Sequence, residues 1–300
     1  MHINNIMPKV VVILVNYNSL KHTKECIQSI KSSSYNNIDI VVLDNDSAED
    51  CQELEDDFDD VVLIRNRDNF GFAVANNVGI EYALQKGAEY ILLLNNDTIV
   101  DKNCIEKLVK HGGENFRSGI VTGKILNYYE RDLIWYAGGD LSYLKGDVCI
   151  CGFGKRDIGQ YNVSRECTFA SGCCMLIPKE IAREFRLSED YFLYYEDCDY
   201  CVKLIKNGKK IYYCSSAVVF HKESATTDKH SCIYSYYFAR NRLLFIKKNV
   251  KLMIRIIPYV VTVLTMIKRC WIGLLRPGPV LDGMIDFVIG KVGKCKRSYE

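Results

Sequence analysis

Ile91-Leu92-Leu93-Leu94-Asn95-Asn96-Asp97-Thr98 decides the fold. Four consecutive aliphatics suit a strand covered on both faces, as in a parallel sheet flanked by helices. The run stops abruptly at two amides and a carboxylate. In open α/β sheets, ligands bind just beyond the carboxyl ends of the strands, so Asp97 stands where a site is expected. One carboxylate among amide oxygens suits a hard cation such as Mg2+ or Mn2+, usually shared with substrate phosphates. The competing reading is a helix N-cap, where Asn and Asp are equally at home.

The residues upstream repeat this pattern. An apolar run at 10–15 ends at Asn16-Tyr17-Asn18-Ser19, and helical spacing follows over 20–33. A second strand, 38–43, ends at Asp44-Asn45-Asp46-Ser47, and an acidic helix is expected over 49–58. A third, 61–64, ends at Arg65-Asn66 before the loop Asn69-Phe70-Gly71-Phe72 and a helix over 73–86. The fourth, 90–94, is the opening stretch, and another helix begins at Cys104. Strand and helix alternate with short links, which forces parallel strands and right-handed crossovers. Tyr17, Asp44, Asn69 and Asp97 therefore converge on one rim of the sheet and point to a nucleotide or phosphate site. No GxGxxG opens the first helix and no GxxxxGK[ST] occurs, which disfavours a dinucleotide site and excludes a P-loop.

From Gly119 the pattern becomes shorter and mixed. Strands are expected over 119–126, 140–143, 148–151 and 173–177, with turns at Gly138-Gly139-Asp140 and Gly152-Phe153-Gly154. A short helix over 178–185 would carry Pro178 in its first turn. Then Tyr191, Phe192, Tyr194 and Tyr195 press against Glu196, Asp197 and Asp199, which open a helix closed by Asn207-Gly208. First-turn acids complement a helix dipole. They also suit a general base in an aromatic cleft, where apolar neighbours raise a carboxylate's proton affinity. Further strands over 210–213 and 217–220 end at His221, a structural residue or a metal ligand.

The bulk numbers constrain the class. Three hundred residues allow one large domain or two modest ones. A net charge of +2 makes no case for nucleic acid. Acids crowd residues 49–60, whereas 229–281 holds ten Lys and Arg and no acid. The fourteen cysteines lack the paired CxxC spacing of a zinc ribbon, and buried thiols in a reducing cytosol are the simpler reading. No signal-type segment precedes residue 10, which fits a cytoplasmic location.

Together these pieces resemble family-2 glycosyltransferases of the GT-A fold, in particular the rhamnosyltransferase-like bacterial branch. The resemblance rests on Val11 to Asn18, Val42 to Ser47, Asn69 to Ile80 and Leu94 to Thr98. It continues in Ala170 to Ile177, Tyr194 to Asp199 and Val218 to His221, and covers residues 9 to 250. It implies an α/β GT-A nucleotide-sugar-binding fold: Rossmann-like, with a mostly parallel central sheet, a mixed β second half and C-terminal helices. A GT-A domain would span 1–250, with a nucleotide-binding half (1–118), an acceptor and catalytic half (119–228) and a post-catalytic helix (229–250). A basic, apolar helical tail would follow over 251–300.

The resemblance also assigns roles. Tyr17 and Asp44 match contacts to the nucleotide base, and Asn69, Gly71 and Asn76 match residues that meet the sugar diphosphate. Asn95-Asn96-Asp97 matches the DXD triplet, in which Asp97 would bind Mg or Mn and His221 would complete the coordination. Asp197 matches the catalytic base, with Glu196 beside it. The triplet's first acid is Asn95 here, which throws more weight onto Asp97 and the diphosphate. Lys203 stands where relatives often carry Arg and is assigned no phosphate role. The implied enzyme is an inverting, metal-dependent transferase of a sugar from a UDP- or dTDP-sugar to a glycan or lipid-linked acceptor in surface polysaccharide synthesis. A catalytically silent nucleotide-sugar or glycan-binding protein is the alternative. A sugar nucleotidyltransferase is disfavoured because strand one ends in Asn16-Tyr17-Asn18 rather than a glycine-rich basic loop.

In the tail, the uninterrupted apolar run 256–267 is shorter than the roughly 20 residues a spanning helix needs. Flanking Lys and Arg with Trp271 suit an interfacial helix on anionic lipid, through residues 229–276, at the inner face of the cell membrane. A hairpin packed on the core or a dimer contact would use the same residues.

Overall fold

The structure is a computed structural model that describes residues 7–114, 119–222, 231–297 and 299. The expected boundary at 228/229 lies outside the described residues.

The first half alternates as the pattern requires. In order come β1 (Val10–Asn16), α1 (Leu20–Lys31), β2 (Ile38–Asp44), α2 (Glu53–Asp57), β3 (Val61–Arg65), α3 (Gly71–Gln85) and β4 (Tyr90–Asn95). β1 pairs in parallel with both β2 and β4, and β2 pairs in parallel with β3. Val10 to Leu14 and Ile91 to Leu93 are wholly buried. Each such side chain stabilises the fold by about 1.5–3 kcal/mol relative to exposure. The acidic helix is shorter than expected because Glu49 is used elsewhere. Its carboxylate accepts the Leu20 N–H at 2.8 Å and so closes the start of α1.

β5 (Thr98–Val100) follows β4 almost at once, then α4 (Cys104–Glu114) and β6 (Gly119–Asn127). Asp97 therefore caps no helix; it sits in the tight turn between two strands. The second half continues with β7 (Ile134–Tyr136), β8 (Gly139–Ser142), β9 (Asp147–Ile150), β10 (Arg165–Cys167) and β11 (Cys174–Pro178). Then come α5 (Lys179–Glu184), α6 (Glu196–Lys206) and β12 (Lys210–His221). The two strands expected over 210–220 are one, with an irregularity between Cys214 and Val218 in its pairing to β6. Pro178 ends β11 in extended backbone rather than opening a helix.

The central sheet has the order β10-β12-β6-β11-β4-β1-β2-β3, with β5 on β12 and β7 on β6. It is parallel across β3-β2-β1-β4 and mixed beyond, because β11 runs antiparallel to both β4 and β6. β8 and β9 form a separate hairpin.

The C-terminal part contains α7 (Cys232–Asn249), a 3-10 turn (Leu252–Ile254), α8 (Ile256–Trp271) and α9 (Pro277–Val288). α7 is core: Ser235 to Ile246 are all buried. α9 lies against it so closely that a Cβ on Gly283 would stand 2.6 Å from the Tyr236 carbonyl. Within the 229–276 span expected at a membrane, α7 is thus packed into the core from Ser235 to Ile246, and apart from Ile233 the exposed large apolar side chains of this part run from Leu252 onward, past 276. Among the described residues no helix is long and apolar enough to cross a membrane.

Candidate active site

The carboxyl ends of β1 and β4 open onto a cavity of about 780 Å3. Tyr17, Asn69, Gly71, Asn95, Asn96 and Asp97 line it from the first half; Glu196, Asp197 and His221 line it from the second. Residues far apart in sequence thus meet in one place.

Strand pairing explains how His221 reaches Asp97. β12 runs back along β5, with His221 opposite Thr98. The Lys222 N–H then donates to the Asp97 carbonyl at 3.0 Å. His221 Nε2 lies 3.1 Å from Asp97 Oδ1, both side chains about 7% exposed. The contact is close but not aligned as a hydrogen bond: Asp97 Oδ1 and His221 Nδ1 have no hydrogen-bond partner among the described residues. Burial pushes the Asp97 carboxyl up, but the His221 ring and backbone donors outweigh it and hold it below the ordinary carboxylate range. Trp135 stands edge-on to His221, ring centroids 4.8 Å apart, and also lines the cavity.

An ionised carboxylate facing an imidazole, both short of partners, fits a divalent cation. Among the described residues no group of three or more His, Cys, Asp or Glu forms a metal site. Asp97 and His221 would supply two protein ligands to such a cation, with phosphate oxygens and water as the natural complement for Mg2+.

Asp197 is held by two backbone donors. Its Oδ2 accepts from Gly172 N at 3.1 Å and its Oδ1 from Cys198 N at 2.8 Å. The neighbouring Cys173 carbonyl accepts from Asn95 N at 3.0 Å. The Ser171-Gly172-Cys173 turn thus ties the Asp197 carboxylate to the Asn95-Asn96-Asp97 turn. Burial pushes the Asp197 carboxyl up, against the pull of those N–H groups. Burial and the adjacent Asp197 charge push Glu196 well above the usual range, and its Oε2 has no partner among the described residues. Asp199 is no rival: it is buried and accepts from Tyr191 and Asn249. Lys203 donates to the Arg186 carbonyl, a structural contact.

The turn before the acids is strained. Tyr194 and Tyr195 have φ of +67° and +72°, unusual for side-chain-bearing residues. Asn241 of α7 pins them, donating to the carbonyls of Leu193 at 2.7 Å and Tyr194 at 3.0 Å. A distant buried amide therefore aims Glu196 and Asp197. Nothing local in the sequence signals that role.

Two expected residues stand off the cavity wall. Asp44 is buried and accepts from Asn16 Nδ2 at 3.4 Å and Ser47 N at 3.3 Å. Asn76 is buried and donates to the Phe72 carbonyl at 2.9 Å. At the end of β2 the wall is Asn45, which also donates to the Gly71 carbonyl at 3.1 Å. Phe192 and Tyr194 of the expected aromatic cleft line the cavity, while other lining residues went unforeseen: Trp135, Tyr234, Tyr237 and, from the last residues, Lys294, Arg297 and Tyr299. Aromatic positions on α7 read as core in a sequence, and the approach of the C-terminal residues is purely tertiary.

A half-parallel sheet with a nucleotide-type rim, a carboxylate in the β4 turn and a second carboxylate at a helix start define a GT-A glycosyltransferase. Residues 11–186 match the model of glycosyl transferase family 2, and the chain belongs to that family. It is similar to the low-salt glycan biosynthesis hexosyltransferase Agl10 of Haloferax volcanii, 26% identical over 246 residues, 78% of this chain and 74% of that protein. The dTDP-rhamnosyl transferase RfbF of Shigella flexneri is 26% identical over 256 residues, 79% of each chain. A crystal structure of GalNAc-T7 with UDP, GalNAc and Mn2+ shares the fold with a TM-score of 0.58 at 16% identity. That likeness covers 71% of this chain but only 43% of GalNAc-T7. The chain is thus a family-2 glycosyltransferase.

Proposed function

We propose that this chain is an inverting, metal-dependent glycosyltransferase. It moves a sugar from a UDP- or dTDP-sugar to a glycan or lipid-linked glycan acceptor during surface polysaccharide synthesis. The observation that carries this reading is the approach of His221 Nε2 to within 3.1 Å of Asp97 Oδ1, in the cavity that Asp197 also lines.

Tyr17, Asn45, Asn69 and Gly71 take the nucleotide end of the donor, while Asp44 and Asn76 shape the wall behind them. Asn95 and Asn96 meet the diphosphate. Held by Asp97 and His221, a divalent Mg2+ or Mn2+ would neutralise charge on the departing diphosphate. Asp197 takes the proton of the acceptor hydroxyl as it attacks the anomeric carbon. Its two backbone donors hold the carboxylate in place. Burial pushes the Glu196 carboxyl up, which disfavours a second charge beside Asp197. One base and one displacement give inversion.

Asp97→Ala should weaken donor binding at least roughly tenfold, about 1.4 kcal/mol. The metal dependence of binding should disappear with it. Calorimetric titration of UDP- and dTDP-sugars, with and without Mn2+, reads both effects. Equal binding by wild type and variant would remove Asp97 from the donor site.

The same reading seats the chain peripherally on the cytoplasmic face of an anionic membrane. Ile256, Val260, Leu264, Ile267 and Trp271 form an exposed apolar stripe along α8, with Trp271 87% exposed. Lys251, Arg255, Lys268, Arg269 and Arg276 flank it, a composition suited to an anionic interface. Leu264→Glu with Trp271→Glu should release the protein from phosphatidylglycerol vesicles in a cosedimentation assay and leave donor binding unchanged. Retention on the vesicles would refute this docking face.

A further inference from the structure

Behind the active site lies a second cavity, of about 300 Å3. It is walled by Tyr236 and Arg240 of α7, Asp286 of α9, and the segment from Lys291 to Arg297. Five of its side chains are cationic (Arg240, Lys291, Lys294, Lys296 and Arg297) against the single carboxylate of Asp286. Lys294, Cys295 and Arg297 line both cavities, so this segment is the partition between them.

Most of these cations are already engaged. Asp286 accepts from Arg297, from Lys291 at 3.2 Å and from the Tyr236 hydroxyl at 2.8 Å. Lys294 bonds Asp68 at 2.6 Å, next to Asn69. Arg240 differs. It is only 1% exposed, and its hydrogen bonds among the described residues are to neutral groups: Nε donates to Asn241 Oδ1 at 2.9 Å and Nη1 to the Tyr236 hydroxyl at 3.3 Å. Its guanidinium also lies over the Tyr236 and Tyr237 rings, 5.3 and 4.9 Å from their centroids. Nη2 has no hydrogen-bond partner among the described residues. A guanidinium stays charged at any working pH, so burying one without an anion is costly. A cavity rich in cations, holding a buried guanidinium with an unused N–H group, suits a tetrahedral oxyanion.

We propose that this cavity is a phosphoryl-binding site distinct from the donor site, which takes the phosphate or diphosphate of an amphiphile presented to the enzyme. The shared partition puts that group next to the transfer cavity. The apolar residues of α9, Leu281, Ile285 and Val288, are exposed on the same helix that supplies Asp286, where a hydrocarbon chain could lie. The phosphoryl group is either the diphosphate of a lipid-linked acceptor or the headgroup of a bilayer lipid. The purpose of the site rests on the transferase reading above, but its existence can be tested without turnover.

The probe is inorganic pyrophosphate, titrated into the full chain in EDTA by calorimetry. Without metal, saturable binding is expected, and Lys291→Ala with Lys296→Ala should weaken it roughly tenfold or more, as loss of charge-assisted hydrogen bonds implies. Both lysines are at the surface, so this variant keeps its fold even if Arg240→Gln does not. Asp97→Ala should leave metal-free binding within twofold of wild type, roughly the scatter of additive distant sites. No saturable binding in EDTA would overturn the proposal, as would equal binding by wild type and the double lysine variant. Vesicles of phosphatidylcholine with about 30 mol% phosphatidylglycerol then separate the two sources. If the double variant also leaves these vesicles, the headgroup is the ligand; if it stays while losing pyrophosphate, the acceptor diphosphate is. A protein that binds a nucleotide sugar with Mn2+ but not pyrophosphate in EDTA would lose this inference alone.

Discussion

Asp197→Asn should lower kcat by roughly three orders of magnitude, the range in which a positioned general base contributes. Donor affinity should stay within a factor of about two, because the substitution removes proton acceptance and not the groups proposed to hold the nucleotide. Asn keeps the shape and one acceptor oxygen. Its amide nitrogen cannot accept from Gly172 N or Cys198 N, the two bonds that fix the wild-type carboxylate. The same measurement carries a pH signature. Burial raises the Asp197 carboxyl above its ordinary value of 3.8. The ionised base is therefore lost at a higher pH than for a free carboxylate, and wild-type kcat should fall as pH drops through that raised value. Stability runs the other way. Asp197 and Glu196 both bind protons more tightly folded than unfolded, so their contribution is fully present below the unfolded values and is lost as pH rises through the folded ones. Glu196→Gln should accordingly raise the melting temperature at neutral pH and make it less dependent on pH. Near wild-type turnover in Asp197→Asn would remove Asp197 from the role of base.

The reach and the limits of the sequence have physical causes. Strands β1 to β4 were legible because double burial leaves unbroken apolar runs, and the polar residues that end them lie on one rim by topology alone. The same topology, with the family resemblance, points to Asp97, Asp197 and His221, which line one cavity. Asp44 stands off the cavity lining, because a strand-end carboxylate looks the same in a sequence whether it faces a ligand or, as here, accepts from Asn16 and Ser47. β5, β7 and β10 have three residues each, too few for a period to be seen. The residues from 231 onward were least legible. Basic charge and apolar residues leave an interfacial helix and a hairpin packed on the core both open, and they do not mark α7 as the core element or bring Lys294 and Arg297 to the cavity. Those contacts depend on α9 folding back along α7, which no local pattern encodes.

Gly71→Ala should disable both halves of the site at once. Gly71 has φ of +82°, where an alanine costs about 1–2 kcal/mol. A Cβ there would also stand 2.3 Å from the Phe192 carbonyl oxygen and 2.7 Å from its ring. Neither neighbour can retreat cheaply. The Phe192 carbonyl accepts from Phe72 N at 2.9 Å, and its ring is stacked on Tyr237 at 5.2 Å. Phe192 belongs to the strained turn that leads into Glu196 and Asp197, so moving it misplaces the base. Moving Gly71 instead displaces the start of α3 and the Asn45 contact, which shifts the donor wall. Gly87→Ala is the matched control, with φ of +76° and nothing within 4 Å of the added carbon. Both variants carry the backbone strain; only Gly71→Ala carries the collision. Gly71→Ala should lose about 3 kcal/mol or more of stability, Gly87→Ala about 1 kcal/mol, and only the former should lose donor binding and turnover together. Denaturant unfolding and donor titration read the two effects separately. If the two variants unfold at the same midpoint and bind donor alike, the packing of Gly71 against Phe192 does not couple the donor wall to the base.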